Sequence, residues 1–283
     1  MLFSITSVRG TGVIFQVILC TFAMVLISAV GACAQDLPSG SVLIHQDVIR
    51  GYRARLWETP VETRAVHGHS MLQVICPYGP VVTVDWVTGL NGLSGQDITG
   101  EGNPDLVIER YSGGAHCCFS YVVFDLGSLL TMIPLPLDSP GQATFRDLDG
   151  DGVYEVVSCD RVFECRYCSC VGSYLPMVVL RYVHGKGYVP ANPEFPQLYD
   201  ADIENHQEQA ERAQAKDFEE SDPTGKCVVL PLVLDYLYSG RVNEAWEALY
   251  RYYKFPDVDA FRAEIEEIVF QSCLFVRSGK SRQ

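Results

Sequence analysis

The sequence predicts a mainly β protein, antiparallel strands carrying two acidic calcium-type loops, followed by a C-terminal α-helical appendage. Three observations carry this expectation. Two acidic, glycine-bearing loops, DITGEGNPDLV from Asp97 and DLDGDGVYEVV from Asp147, start fifty residues apart, and each runs directly into a β-like apolar stretch. Across residues 35–190, short runs rich in Val, Ile, Tyr and Trp alternate with Gly- and Pro-bearing turns, the pattern of short strands. Beyond residue 224 apolar residues recur at spacings of three and four, the period of amphipathic helices.

Residues 1–34 read as a targeting segment. Arg9 is its one charge, residues 13–30 are an apolar core, and Ala32-Cys33-Ala34 fits a small-x-small cleavage site before Gln35. Val30-Gly31-Ala32-Cys33 also resembles a lipobox, which would end the signal at residue 32 and make Cys33 a lipidated first residue. An uncleaved anchor is the third alternative, since eighteen apolar residues approach spanning length. Each of these readings exports the chain, to a periplasmic, secreted or cell-surface location.

Removing residues 1–34 takes away one basic and no acidic residue, leaving 20 basic against 35 acidic side chains. Such a balance excludes a nucleic-acid binder, which needs basic surface to neutralise phosphates. The remaining chain of about 250 residues can bury a sizeable core. It also keeps nine cysteines: Cys76, Cys117, Cys118, Cys159, Cys165, Cys168, Cys170, Cys227 and Cys273. Export favours disulfides for all of them, and an odd count leaves at least one outside an intrachain pair. Spacing does not fix the connectivity; a bond between Cys227 and Cys273, which bracket the last helices, is one reasonable pairing.

Taken in order, SVLIHQDVI and GYRARLWE read as short or edge strands, and MLQVICPYG with VVTVDWVTG as a hairpin around Pro77-Tyr78-Gly79-Pro80. His67 and His69 would share a strand face but lack a third metal ligand. Leu106-Val107-Ile108 and Tyr121-Val122-Val123-Phe124 form further strands. Between them SGGAHCC offers His116, Cys117 and Cys118 as a nucleophile pair or a copper or zinc site. Adjacent residues in an extended segment point apart, however, and the oxidising compartment favours disulfides. In FECRYCSC the C-x2-C-x-C run would suggest zinc or an iron-sulfur centre in the cytosol; export turns that into disulfides as well. Met177-Val178-Val179-Leu180 is another strand, with HGKGYV as its turn.

The second acidic loop is the stronger one. Asp147, Asp149, Asp151 and Glu155 supply carboxylate oxygens at positions one, three, five and nine, Gly150 and Gly152 permit tight turning, and the Val153 carbonyl can fill position seven. Calcium takes six to eight such oxygens in flexible geometry. The first loop places Asp97, Thr99, Glu101, the Asn103 carbonyl and Asp105 at the same positions, a looser set. Neither is an EF-hand: position twelve of the second loop is Ser158, and the flanks alternate as strands do. The plain alternative is a pair of acidic hairpin turns, because Asp and Gly are good turn residues.

These loops resemble the calcium loops of FG-GAP and VCBS repeats, found in integrin α-subunit propellers and many bacterial surface proteins. The segment GGAHCCFSYVVFDLG resembles one in uncharacterised secreted bacterial proteins that carry such repeats. The resemblance covers roughly residues 95–185 and implies two propeller-blade-like antiparallel units. It implies that Asp147, Asp149, Asp151 and Glu155 hold calcium, with Asp97, Thr99, Glu101 and Asp105 as counterparts. Closed propellers have four or more blades and two copies are legible, so a complete ring is not expected.

Pro190, Pro193 and Pro196 mark a connector, and residues 191–223 read as a polar linker or exposed helix. Residues 224–277 form the helical appendage. Leu230, Val233, Leu234 and Leu237 line its first face, with Pro231 in a first turn and Ser239-Gly240 ending the run. Val242, Trp246, Leu249, Tyr250 and Tyr253 line the second, and Phe261, Ile265, Ile268 and Val269 the third. LDYLYSGRVNEAWEALYRYY resembles half a TPR unit, but solenoids need several repeats, so a helix pair packed on the β domain is expected.

Two functional classes follow. One is an exported calcium-stabilised β protein, a non-enzymatic binding or structural module that presents loops to a protein or glycan. The other is a secreted hydrolase or metal-dependent enzyme using His116 with Cys117 or Cys118. The sequence holds no GxSxG, HExxH or phosphate loop, so no catalytic residue is assigned and the reading leans away from an enzyme.

Overall fold

A computed structural model describes residues 36–113, 119–137, 143–214 and 224–277. The targeting segment with Cys33, and the candidate residues His116, Cys117 and Cys118, lie outside the described residues. Three four-stranded antiparallel sheets are formed, each from four consecutive strands in simple neighbour order, and none of them is closed. Sheet 1 contains β1 (Val42–Ile49), β2 (Tyr52–Glu58), β3 (Ser70–Ile75) and β4 (Val81–Asp85). Sheet 2 contains β5 (Val87–Leu90), β6 (Asp105–Tyr111), β7 (Phe119–Leu126) and β8 (Leu130–Ile133). Sheet 3 contains β9 (Thr144–Arg146), β10 (Glu155–Cys159), β11 (Met177–Val183) and β12 (Gly187–Pro190). A single turn, α1 (Arg64–His67), sits between β2 and β3. The expected mainly β architecture with C-terminal helices is therefore present.

Sheet 2 divides the interior. Alternation along a strand sends successive side chains to opposite faces. Leu106, Ile108, Phe124 and Leu126 pack with Tyr52, Leu56, Leu72 and Val74 of sheet 1. Val107, Tyr121, Val123 and Ile133 belong to a second, larger core with Val156, Val178 and Leu180 of sheet 3 and with the helices. Each such fully buried aliphatic contributes roughly 1.5–3 kcal/mol relative to exposure.

The helices are α2 (Asp200–Gln214), α3 (Thr224–Tyr238), α4 (Val242–Tyr252) and α5 (Val258–Gln271). They share one continuous core with sheets 2 and 3. Helix α2 and helix α4 both pack on α3, which is buried almost all round between Val229 and Leu234. Such a helix needs neighbours on every side. Pro231 is the eighth residue of α3, not part of a first turn as its position suggested, because the helix begins at Thr224. The polar segment after Tyr199 opens with α2, which buries Ile203, His206 and Ala210 at spacings of three and four. In α5 the predicted face of Phe261, Ile265, Ile268 and Val269 is buried. No described helix is long and apolar enough to cross a membrane.

Buried polar links tie helices to strands. Asn192 accepts the Val179 amide at 2.7 Å and donates to the Leu274 carbonyl at 2.9 Å. Asp235, fully buried, lies 2.6 Å from Nδ1 of His206 and accepts from the Tyr174 hydroxyl. Asp160 accepts from the Tyr238 hydroxyl at 2.6 Å and from Ser272.

Two disulfides are present among the described residues, Cys165 to Cys170 and Cys168 to Cys227. The expected bond between Cys227 and Cys273 is thereby corrected. Lys226 lies over the Tyr167 ring at 5.6 Å, so the first turn of α3, which carries Cys227, abuts the segment that carries Cys168. Cys76 is a free thiol and not a disulfide partner; it packs partly buried against the core between sheets 1 and 2, where burial pushes its pKa up.

Candidate functional site

The two acidic loops occupy equivalent places. The first joins β5 to β6 and the second β9 to β10, so each links the first two strands of its sheet. In both, the position-one carboxylate closes the turn on backbone amides. Asp147 accepts from Gly150 at 2.7 Å and Gly152 at 3.1 Å. Asp97 accepts from Glu101 at 3.1 Å and Gly102 at 2.8 Å. Gly150 and Gly152 both adopt the positive φ that the turn requires, at 79° and 87°.

Position nine is the first residue of the following strand, and in both loops it is a carboxylate with 0% exposure. Glu155 Oε2 accepts the amide of Leu148, at position two of its loop, at 3.0 Å. Asp105 Oδ2 accepts the amide of Ile98, the matching position, at 2.9 Å, with the amide and hydroxyl of Thr99 each at 3.0 Å. The other oxygens, Asp105 Oδ1 and Glu155 Oε1, are buried without a hydrogen-bond partner. Arg181 Nε stands 3.5 Å from Glu155 Oε1, near enough for charge attraction and too far for a good hydrogen bond. Burial lifts the Asp105 carboxyl to about 6, against the pull of Thr99 and Ile98. Burial also raises Glu155, with the Leu148 amide and Arg181 opposing it. A buried carboxylate oxygen without a donor calls for an explanation, and a hard cation would supply the missing partner.

The intermediate positions differ between the loops. Asp147, Asp149 and Asp151 each offer an oxygen within 4.8 Å of the others, at the surface. Among the described residues this is the one such gathering of three acidic, His or Cys side chains. In the first loop the Thr99 hydroxyl is committed to Asp105, and Glu101 turns outward to accept from the Tyr182 hydroxyl and lie 2.5 Å from His184 Nδ1. Those contacts, the Tyr182 hydrogen bond foremost, hold the Glu101 pKa below its ordinary value. The Asn103 side chain accepts from Arg50.

The loops also interlock. The Tyr154 amide donates to the Ile98 carbonyl at 2.8 Å, directly joining one loop to the other. Gly100, with φ of 72°, lies so close to Val153 that a Cβ there would meet its Cγ2 at 2.8 Å. The hairpin of β11 and β12 serves both loops: Arg181 pairs with Asp149, while Tyr182 and His184 reach Glu101. Between them lies a cleft of about 370 Å³ lined by Thr99, Glu101, Asp151, Val153, Arg181, Tyr182 and His184. Sequence reasoning missed Arg181, Tyr182 and His184; their one signal is polar side chains beside the HGKGYV turn of an otherwise apolar strand. His67 closes the single turn α1 and lies 3.1 Å from Asp85, so His67 and His69 do not share a strand face.

No protein-family model and no solved structure matches the chain. It is similar to a probable thylakoid lumen protein of Synechocystis sp., with 25% identity over 154 residues. That match covers 53% of this chain and 44% of the relative, so the chain spans less than half the length of the protein it resembles.

Proposed function

We propose that the chain is an exported, calcium-stabilised β protein of FG-GAP/VCBS-like character that acts as a non-enzymatic binding or structural module. One observation carries this reading: in two loops at equivalent places in their sheets, the position-nine carboxylate is buried with one oxygen lacking any hydrogen-bond partner. In the second loop Asp147, Asp149, Asp151 and Glu155 are the residues that would hold the ion, with Arg181 neutralising part of their charge in its absence. The three four-stranded sheets are read as blade-like repeats. Sheet 1 lacks an acidic loop because its first two strands are joined by Arg50 and Gly51 alone. Residues 1–34 are assigned as the export signal, and the lumenal name of the relative supports an exported location. With its turns pinned, the cleft beside Glu101 and Arg181 is the face offered to a protein or glycan.

Elemental analysis and thermal unfolding test the reading together. The purified chain should contain calcium, and chelation should lower Tm, because an ion bound by the folded state alone stabilises it by about 2.7 kcal/mol at a hundredfold excess over Kd. The double variant Asp149→Ala/Asp151→Ala should lose most of that shift. Identical responses of parent and variant to chelator would remove the second loop as the ion site.

A further inference from the structure

Strand β1 is the outermost strand of sheet 1 and pairs only with β2 among the described residues. An open edge is a template for further pairing unless it is kept short or blunted by Pro, charged side chains, a bulge or a covering element. The other five edge strands are short: β4 has five residues, β5, β8 and β12 four each, and β9 three. Strand β12 also ends on Pro190, and Pro134 follows β8 directly. Strand β1 runs for eight residues, VLIHQDVI, without Pro, Lys or Arg; it carries one acidic side chain, Asp47, and one bulge, which leaves His45–Ile49 as a regular open edge. Four of its apolar side chains are in solvent, with Val42 60% exposed, Leu43 43%, Ile44 50% and Val48 62%, while Ile49 packs partly buried against the core between sheets 1 and 2.

The sequence of this edge is complementary to itself when reversed. Antiparallel pairing of two copies about Gln46 sets His45 of each copy opposite Asp47 of the other, within the regular stretch His45–Ile49 that follows the bulge. Opposed residues on an antiparallel pair interact directly, and opposite charges and apolar pairs are the favourable combinations. His45 Nε2 lies 2.7 Å from Asp47 Oδ2 within one strand, and both side chains stand at the surface. Across a two-fold axis the same acid-base contact forms twice. The bulge between Leu43 and His45 shifts the register with β2 there, so the His45–Asp47 stretch is the centre of the match. A two-fold interface demands a patch that is its own complement.

We infer that β1 is a self-association edge: two copies of this chain pair antiparallel through Val42–Ile49 about Gln46, joining their first sheets into one sheet of eight strands. Light scattering on the mature chain at about 100 μM, well above the roughly micromolar Kd of a small interface, should give a dimer mass. Asp47→Lys places a cation opposite His45 and should weaken the dimer at least about tenfold, while the exchange His45→Asp with Asp47→His should restore it. The register has its own readout. Gln46→Cys lies on the axis and should form a covalent dimer under mild oxidation, with peptide mapping showing residue 46 joined to itself. His45→Cys should cross-link only when mixed with Asp47→Cys. A monomeric parent at this concentration, or a dimer in which Gln46→Cys fails to cross-link, overturns the inference.

Discussion

Replacing Asp105 with Asn should change how the stability of the metal-free protein depends on pH. In the folded chain, burial lifts this carboxyl from 3.8 to about 6. Unfolding returns it to its ordinary value, so between those two values the native state holds the proton more tightly than the unfolded chain does. Its contribution is therefore fully present below about pH 4 and is lost as pH rises through about 6. A shift of about two units corresponds to about 3 kcal/mol lost by pH 7. Asn keeps an oxygen for the three donors on Oδ2, does not titrate, and sets its amide where Oδ1 has no partner. That fixed penalty cancels when parent and variant are compared at two pH values. Glu155, raised in the same direction, is common to both proteins and cancels too. Urea unfolding followed by tryptophan fluorescence in metal-free buffer should show the stability difference moving by about 3 kcal/mol in favour of the variant between pH 4 and pH 7. A difference that is constant across that range would refute the assignment of a desolvated carboxyl at the head of β6. Saturating calcium should erase the parent's pH dependence, because a bound cation keeps the carboxylate ionised.

Three further outcomes are expected. Arg181→Gln removes the positive charge beside Asp149 and Glu155 and should tighten calcium binding about fivefold by calorimetry; weaker binding would count against Arg181 as the ion's competitor. Asn192→Ala strands the Val179 amide and the Leu274 carbonyl, both served by a fully buried side chain, and should cost about 2–4 kcal/mol in urea unfolding. Non-reducing peptide maps should join Cys168 to Cys227 and Cys165 to Cys170, and Cys168→Ser with Cys227→Ser should destabilise the chain by about 2–4 kcal/mol. Cys227 recovered with any other peptide would contradict this pairing.

What could be read from the residues divides along physical lines. Strand alternation and turn residues are local, and the hairpin of β3 and β4, the turn before β12 and both acidic loops are visible in ten-residue windows. The apolar face of α5 is dense enough to see, whereas α2 buries only Ile203, His206 and Ala210 in an otherwise charged run. Helix α3 includes Pro231 at its eighth residue because packing on all sides overrides a propensity deficit of about 3 kcal/mol. The partners of the acidic loops were invisible for a different reason. Tyr182 and His184 reach Glu101 across more than eighty residues of sequence, and nothing local to β11 says which loop its turn will meet. The same holds for Cys227, whose partner is chosen by where the first turn of α3 lands.

Asp105 has a second consequence, which follows from the way sheet 2 partitions two cores. The strand it heads reads Leu-Val-Ile next, aliphatic on both faces, so hydrophobicity does not say which side chain belongs to which compartment. A slip of one residue would exchange Leu106 and Ile108 with Val107 and still fill both spaces with hydrocarbon, although every side chain would have changed sides. Only one alignment lets the carboxylate collect the amides of Ile98 and Thr99 and the Thr99 hydroxyl at once. The acidic side chain thus works as an index notch for a strand that would otherwise fit two ways, and it does so whether or not a cation visits it.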